Sequence, residues 1–282
     1  MGILEPISGD VSVAGLTIHY REVGEGPVVL LIHGWPTSSF LWRKVMPHIG
    51  AQCRTIAIDL PGFGGSDKPV DRVYDLPSYI PVLEGFCDAL QVGPSLSLAV
   101  HDAGGPIGLY WAMNSTRRLD RLAILNTLIY PEISLIERSF LAACRVPGLS
   151  SFLATPWSLR QTLRFGVKHP GRLEKEALEA ISAPFSDPDS RKALVKTLVD
   201  FDPAALASIA EWLKSVDIPV QILRGAEDRI LPKMGDTAKR LMADLPQLKE
   251  HVFEDCGHFL QEERPDDIGQ LLAEFFWASN PG

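Results

Sequence analysis

The apolar run 96–100 leads into His101-Asp102-Ala103-Gly104-Gly105, and a helix-like segment follows. A strand that turns sharply into a helix exposes the residue at the turn, and small neighbours let the two backbones pass. At that turn Asp102 is a carboxylate nucleophile, suited to attack a saturated carbon and leave an alkyl ester on the protein. A serine in the same place would perform acyl transfer instead. An aspartate also caps helices at such positions, and the turn alone does not separate the two roles.

Three more segments follow apolar runs. After Val28–Ile32 comes His33-Gly34-Trp35-Pro36. Gly34 lets the chain bend and Pro36 fixes it, so the backbone N–H groups of Trp35 and Ala103 would form an oxyanion hole. A plain Gly-Pro turn is the alternative. After the run 220–223 comes Arg224-Gly225-Ala226-Glu227-Asp228. Asp228 is the candidate acid that orients a histidine. A turn or helix cap is its other role, with Glu227 as the fallback acid. After 251–253 comes Asp255-Cys256-Gly257-His258, where His258 stands on a loop before a helix, as a general base would. A lone histidine there is otherwise structural or solvated. The order nucleophile, acid, histidine joins the segments into one constellation.

The elements that must carry these residues alternate. An opening hairpin over 11–23 turns at Gly15, and apolar runs at 28–32, 55–58, 96–100 and 122–125 suit parallel strands covered on both faces. Helical patterns lie between them at 39–49, 78–90 and 105–114. From Pro131 to about Val216 amphipathic segments such as 173–181, 191–199 and 204–213 follow one another with no apolar strand run. Alternation then resumes with a strand at 220–223, a helix at 234–243, a strand at 251–253 and a helix at 268–277. The reading is an α/β fold with a mostly parallel, eight-stranded sheet flanked by helices. A core over 1–130 and 217–282 is interrupted after the sixth strand by a helical cap over 131–216, placed to cover the site.

Composition bounds the partners. In 282 residues, 46% are hydrophobic and 22% charged, and the net charge of −8 has no acidic or basic block along the chain, so a nucleic-acid footprint is not expected. No apolar stretch is long enough to span a bilayer, and the N-terminal residues lack the basic start and apolar run of a signal peptide. Cys53, Cys87, Cys144 and Cys256 stand far apart, without zinc or redox spacing. They read as buried free thiols in a cytoplasmic protein, a monomer or homodimer with no metal, no nucleic-acid partner and no membrane partner.

Taken together, the motifs resemble the aspartate-nucleophile branch of the α/β-hydrolase fold, which includes haloalkane dehalogenases and epoxide hydrolases. The resemblance runs from about residue 10 to 278. It rests on His33-Gly34-Trp35-Pro36-Thr37-Ser38-Ser39 with Leu41-Trp42-Arg43, on Asp59-Leu60-Pro61-Gly62-Phe63-Gly64-Gly65-Ser66-Asp67-Lys68-Pro69, on His101 to Gly105, and on Gly257-His258-Phe259-Leu260-Gln261-Glu262-Glu263. Ala183-Pro184-Phe185-Ser186-Asp187-Pro188 resembles dehalogenase caps. The resemblance implies a two-step, cofactor-free hydrolysis of a small apolar organic substrate. Asp102 forms the ester, and a water activated by His258, itself oriented by Asp228, then hydrolyses it.

The leaving-group machinery departs from both patterns. Haloalkane dehalogenases typically carry Trp after the nucleophile, where this chain has Ala103. They add an Asn after His-Gly, where it has Trp35, or a cap Trp at a position falling near His169. Trp35 and Trp157 are the substitute indole donors. Epoxide hydrolases hold the oxygen between two cap tyrosines, and here His169 and Tyr130 are the substitutes, with His33 beside them in the candidate pocket. A third branch, which holds a carboxylate through arginines after the nucleophile, is disfavoured by Ala103 and Pro106. The reading leans to dehalogenase-like chemistry, with epoxide hydrolysis as the alternative and a ligand-binding or cofactor-free non-hydrolytic member of the fold as a third.

Overall fold

The apolar runs become the inner strands of one sheet. The structure, a computed structural model, describes residues 4–278; the first three residues of the N-terminal stretch discussed above lie outside them. β1 (Ile7–Val13) and β2 (Leu16–Val23) form the antiparallel opening hairpin, turned through Ala14 and Gly15 at φ of 51° and 77°. β3 (Val28–Ile32) follows. The single helix expected over 39–49 is instead a 3-10 turn, Ser39–Trp42, and a separate α1 (Met46–Gly50). Pro47 explains the break, because a residue without an N–H fits only the first turn of a helix. β4 (Arg54–Ile58), α2 (Leu76–Ala89), β5 (Ser95–Asp102), α3 (Gly104–Asn114) and β6 (Arg118–Thr127) complete the first half.

Between β6 and the next strand, every regular element among the described residues is helical. These are α4 (Leu135–Cys144), α5 (Leu149–Leu153), α6 (Pro156–Gly166), α7 (Lys175–Ser182), α8 (Pro188–Val199) and α9 (Leu206–Leu213), with short 3-10 turns between some of them. Their starts are written in the sequence. Ser134 and Glu137 form a reciprocal capping box at α4, and Asp187 caps α8 through the N–H groups of Asp189 and Ser190. The chain then returns through β7 (Val220–Gly225), α10 (Met234–Asp244), β8 (Lys249–Phe253), α11 (Leu260–Glu263) and α12 (Pro265–Trp277).

The sheet order is β1-β2-β4-β3-β5-β6-β7-β8, parallel from β4 through β8. Alternation along the strands divides the core in two. Leu30, Ile32, Leu98, Val100, Leu122 and Ile124 pack on one face, which α2 and α3 cover. Val29, Leu31, Ala99, Ala123 and Leu125 pack on the other, under α1 and α12. Both faces are buried, so the inner strands read as continuous apolar runs. The first cluster continues into the helical segment through Phe185, Leu194, Leu206 and Ile209, and α9 of that segment packs on α3.

No helix among the described residues is long and apolar enough to cross a membrane. All four cysteines are buried and free.

Candidate active site

The turn after β5 places Asp102 at φ 51°, in the left-handed region that costs a non-glycine residue strain. The conformation holds because the neighbours leave no alternative. Thr127 Oγ1 donates to the Asp102 carbonyl at 2.5 Å. A Cβ on Gly34 would lie 2.3 Å from Asp102 Cβ, so only glycine lets the two loops approach. The approach brings the Trp35 backbone N–H onto Asp102 Oδ1 at 2.7 Å, and the Ala103 N–H also bonds the carboxylate. Two amide donors therefore converge on the carboxylate.

His258 faces the other oxygen. Its Nε2 lies 3.1 Å from Asp102 Oδ2, off the direction of a hydrogen bond, so this nitrogen has no aligned partner. Its Nδ1 is 2.8 Å from Asp228 Oδ2. Asp228 Oδ1 in turn accepts the N–H groups of Ile230 and Leu231, each at 2.8 Å, which fixes the carboxylate. Burial works against a charged imidazole, but Asp228 and Asp102 outweigh it and push the His258 pKa up to about 10. Burial likewise opposes ionisation of Asp102, yet His258, His101 and the Ala103 amide hold its carboxyl below the usual range. The two shifts run in opposite directions and favour a carboxylate on Asp102 and a protonated imidazole on His258.

The loop bearing His258 is tied down by residues of the quoted motifs and by two, Asn126 and Gly166, that the motifs did not single out. Asn126, one residue before the end of β6, is fully buried, and its Nδ2 donates to the carbonyls of Gly257 and His258 at 3.1 and 3.0 Å. The His258 N–H donates to Gly166 O at 2.6 Å, at the end of α6, and Glu263 accepts the Gly257 N–H at 2.6 Å. His101 Nε2 donates to the His258 carbonyl at 3.0 Å. Burial and the positive charge of His258 lower the His101 pKa to about 4, so this ring is neutral. One sequence signal could have found Asn126, which stands at the carboxyl end of an apolar strand like the other site residues.

Gly225, at the end of β7, passes so close to this loop that a Cβ would sit 2.1 Å from Gly257 O and 2.5 Å from Cys256 O. Gly225→Ala is expected to lower unfolding free energy by about 1–3 kcal/mol in a denaturant titration, as overpacking of a close backbone contact does.

Asp102, Trp35 and Ala103 open onto a cavity of about 410 Å³. Its wall is mainly apolar and includes Phe140, Leu141, Leu198 and Phe201 from the helical segment, facing Ile107 and Ile230. Ile136 and Phe165 line it while being about half exposed, 54% and 52%, and so mark its mouth. The Trp35 ring stands edge-on to Phe140 at 5.2 Å, and its indole N–H is buried with no hydrogen-bond partner.

The other residues expected in the pocket are elsewhere. His33 is fully buried beneath the loop, where its Nδ1 lies 2.9 Å from Gly34 O and its Nε2 accepts the Leu60 N–H. Trp157 is 57% exposed and packs on Phe152, because α6 turns Leu159 and Leu163 inward instead. His169 pairs with Asp255 at 2.5 Å near the surface, since the chain after α6 leaves the cavity at Gly166. Tyr130 lines a neighbouring cleft of about 210 Å³, its hydroxyl bonded to Asp244 and its ring under the Arg240 guanidinium. The wall of the main cavity carries Tyr74, Gln161 and Glu137 instead. Glu227 is exposed and pairs with Lys168, so it does not compete with Asp228. Among the described residues no group of three or more His, Cys, Asp or Glu side chains is arranged to hold a metal.

Comparison with known proteins agrees with this geometry. The chain is 30% identical over 275 residues to the cis-3-alkyl-4-alkyloxetan-2-one decarboxylase of Shewanella oneidensis, a match covering 93% of this chain and 85% of that one. It is also 30% identical over 278 residues to a haloalkane dehalogenase of Agrobacterium fabrum, covering 93% and 89%. The solved haloalkane dehalogenase DbeA from Bradyrhizobium elkani superposes with a TM-score of 0.86 at 25% identity, over 96% of this chain and 98% of that one. The family model described as alpha/beta hydrolase fold matches residues 27–265. The chain belongs to the alpha/beta hydrolase fold family and is a hydrolase similar to the dehalogenases within it.

Proposed function

We propose that the protein hydrolyses a small apolar haloalkane in two steps through an ester on Asp102. The observation that carries this reading is the carboxylate itself, bonded by the backbone amides of Trp35 and Ala103, with its Oδ2 beside His258. Asp102 displaces halide from an sp3 carbon. His258, held by Asp228, then takes a proton from water, which attacks the ester carbonyl of Asp102. The Trp35 and Ala103 amides lie where the oxyanion of that second step develops. The helical segment 131–216 acts as a cap that keeps the displacement dry over a core of 1–130 and 217–282.

Charge on the site drives the order of steps. While Asp102 is ionised, His258 sits between two carboxylates and stays protonated. Alkylation neutralises Asp102 and removes one of them, so the His258 pKa falls and the ring becomes a base only after the ester has formed.

The departing halide needs N–H donors in an apolar site. The orphaned indole N–H of Trp35 favours this reading, since buried donors otherwise find partners. Gln161, from α6, brings a carboxamide to the same cavity wall. Epoxide opening finds less support. The tyrosine on the wall, Tyr74, donates its hydroxyl to Pro69 O at 3.0 Å, and Tyr130 faces a different cleft. Trp35→Phe keeps the backbone amide and deletes the indole donor. It is expected to slow single-turnover halide release by about 10–100-fold, somewhat less than the loss of a full oxyanion-hole donor.

Intact-protein mass spectrometry of His258→Gln, incubated separately with bromoalkanes and simple epoxides, tests the proposal. The variant lacks the base and should accumulate a species heavier by the alkyl group of the bromoalkane. A gain of the whole epoxide, with none from bromoalkanes, would move the assignment to epoxide hydrolysis. A folded variant that takes up neither would return Asp102 to a non-catalytic role.

A further inference from the structure

We propose that α4, α5 and α6 form a docking face for an anionic lipid surface, set around the mouth of the cavity. Exposed large apolar side chains concentrate there. Leu135, Ile136, Val146, Leu149, Phe152, Trp157 and Phe165 are between 43% and 78% exposed. A soluble surface rarely gathers so many in one contiguous stretch without a partner. Phe152 and Trp157 stack at 5.9 Å on these helices, and Ile136 and Phe165 rim the cavity, so the patch reaches the entrance.

Charge selects the occupant. The chain as a whole carries −8, yet residues 135–168 hold Arg138, Arg145, Arg160, Arg164 and Lys168 against a single acid, Glu137. Lys168 is paired with Glu227, and Glu137 is taken up by the N-terminus of α4. Arg138, Arg145 and Arg164 are exposed and form no ion pair among the described residues. Along α6, Trp157 and Arg164 are seven residues apart and share a helix face, as do Leu135 and Arg138 on α4, three apart. Apolar side chains interleaved with arginines match an interface of acyl chains beneath anionic headgroups. A second copy of the chain is a poorer fit, because a two-fold contact would set this positive surface against itself. Adsorption of this kind needs no spanning helix. It would place the apolar cavity against a reservoir of lipophilic molecules.

Vesicle co-sedimentation of the full chain tests this, comparing pure phosphatidylcholine with phosphatidylcholine containing phosphatidylglycerol, at low and high salt. The protein should pellet with the anionic vesicles and be released by salt. Arg138→Gln with Arg164→Gln should weaken binding by about five-fold per arginine removed. Leu135→Ser with Phe152→Ser should weaken it at both salt concentrations. Unchanged thermal melts and unchanged turnover of a water-soluble haloalkane would show that the variants are folded, and this readout is independent of vesicle binding. Failure to pellet with anionic vesicles would overturn the proposal. So would equal binding by all variants, or a concentration-dependent doubling of mass that Leu135→Ser with Phe152→Ser abolishes while vesicles are ignored.

Discussion

Asp102→Asn should lower kcat by at least about ten-thousand-fold, the scale on which removing a nucleophile disables a site whose groups act as a unit. The carboxamide is nearly isosteric, so the Trp35 and Ala103 amides keep an oxygen to bond and the fold should melt close to the parent temperature. Chemistry fails because a neutral amide cannot displace a leaving group from saturated carbon. The same variant imitates the charge of the ester intermediate. With one of its two carboxylates gone, His258 should titrate below the value of about 10 to which the resting site pushes it. Imidazole resonances followed by NMR against pH report this directly. A wild-type titration unchanged by Asp102→Asn would remove the coupling that orders the two steps. Residual turnover by a homogeneous variant would remove the nucleophile.

Asp228→Asn should cost about 1,000- to 10,000-fold in kcat, by analogy with other orienting acids, and mainly in hydrolysis of the ester. Its Oδ2 holds Nδ1 at 2.8 Å, and its charge is the foremost influence raising the His258 pKa against burial. Pre-steady-state kinetics should show halide released in a burst of near-normal rate, followed by a slow phase. The pH dependence separates the two steps. Halide displacement fails as pH falls through the lowered pKa of Asp102, whereas ester hydrolysis strengthens as pH rises and His258 loses its proton.

Stability follows the same charges with a defined sign. A histidine whose folded pKa is raised contributes most below its unfolded value near 6.5, and that contribution disappears as pH rises through about 10. The melting-temperature gap between wild type and Asp228→Asn should therefore be widest at or below about pH 6.5 and narrow toward about pH 10. A gap that widened with pH would mean that His258 is neutral in the resting protein.

Much of the architecture was legible because local chemistry repeats what the fold demands. Val28–Ile32 is a strand residue for residue as read, and the helix read at 105–114 begins one residue earlier, at Gly104. The positions after these strands were legible for the same reason. A parallel sheet delivers its loops to one end, so Asp102, Asp228 and His258 meet there although more than a hundred residues separate the first from the second. The helix read over 39–49 split because one proline outweighed a helical pattern.

The cavity wall was not legible in this way. Trp157 and His169 are the right residue types in the right part of the chain, yet helix rotation and the exit of the chain at Gly166 turn both away from Asp102. Phe140, Gln161 and Phe165 line the wall instead, through pairings between helices distant in sequence that no local period announces. The sequence alone thus determined the order of strands and helices and which three side chains, Asp102, Asp228 and His258, meet at one end of the sheet, because these depend on periodicity and on residue type at strand ends. Only the tertiary structure decided which side chains line the cavity, where the indole N–H is left without a partner, and that Asn126 and Gly166 hold the histidine loop. Those outcomes depend on how helices pack on one another, and the packing face of a helix is chosen by its neighbours in space.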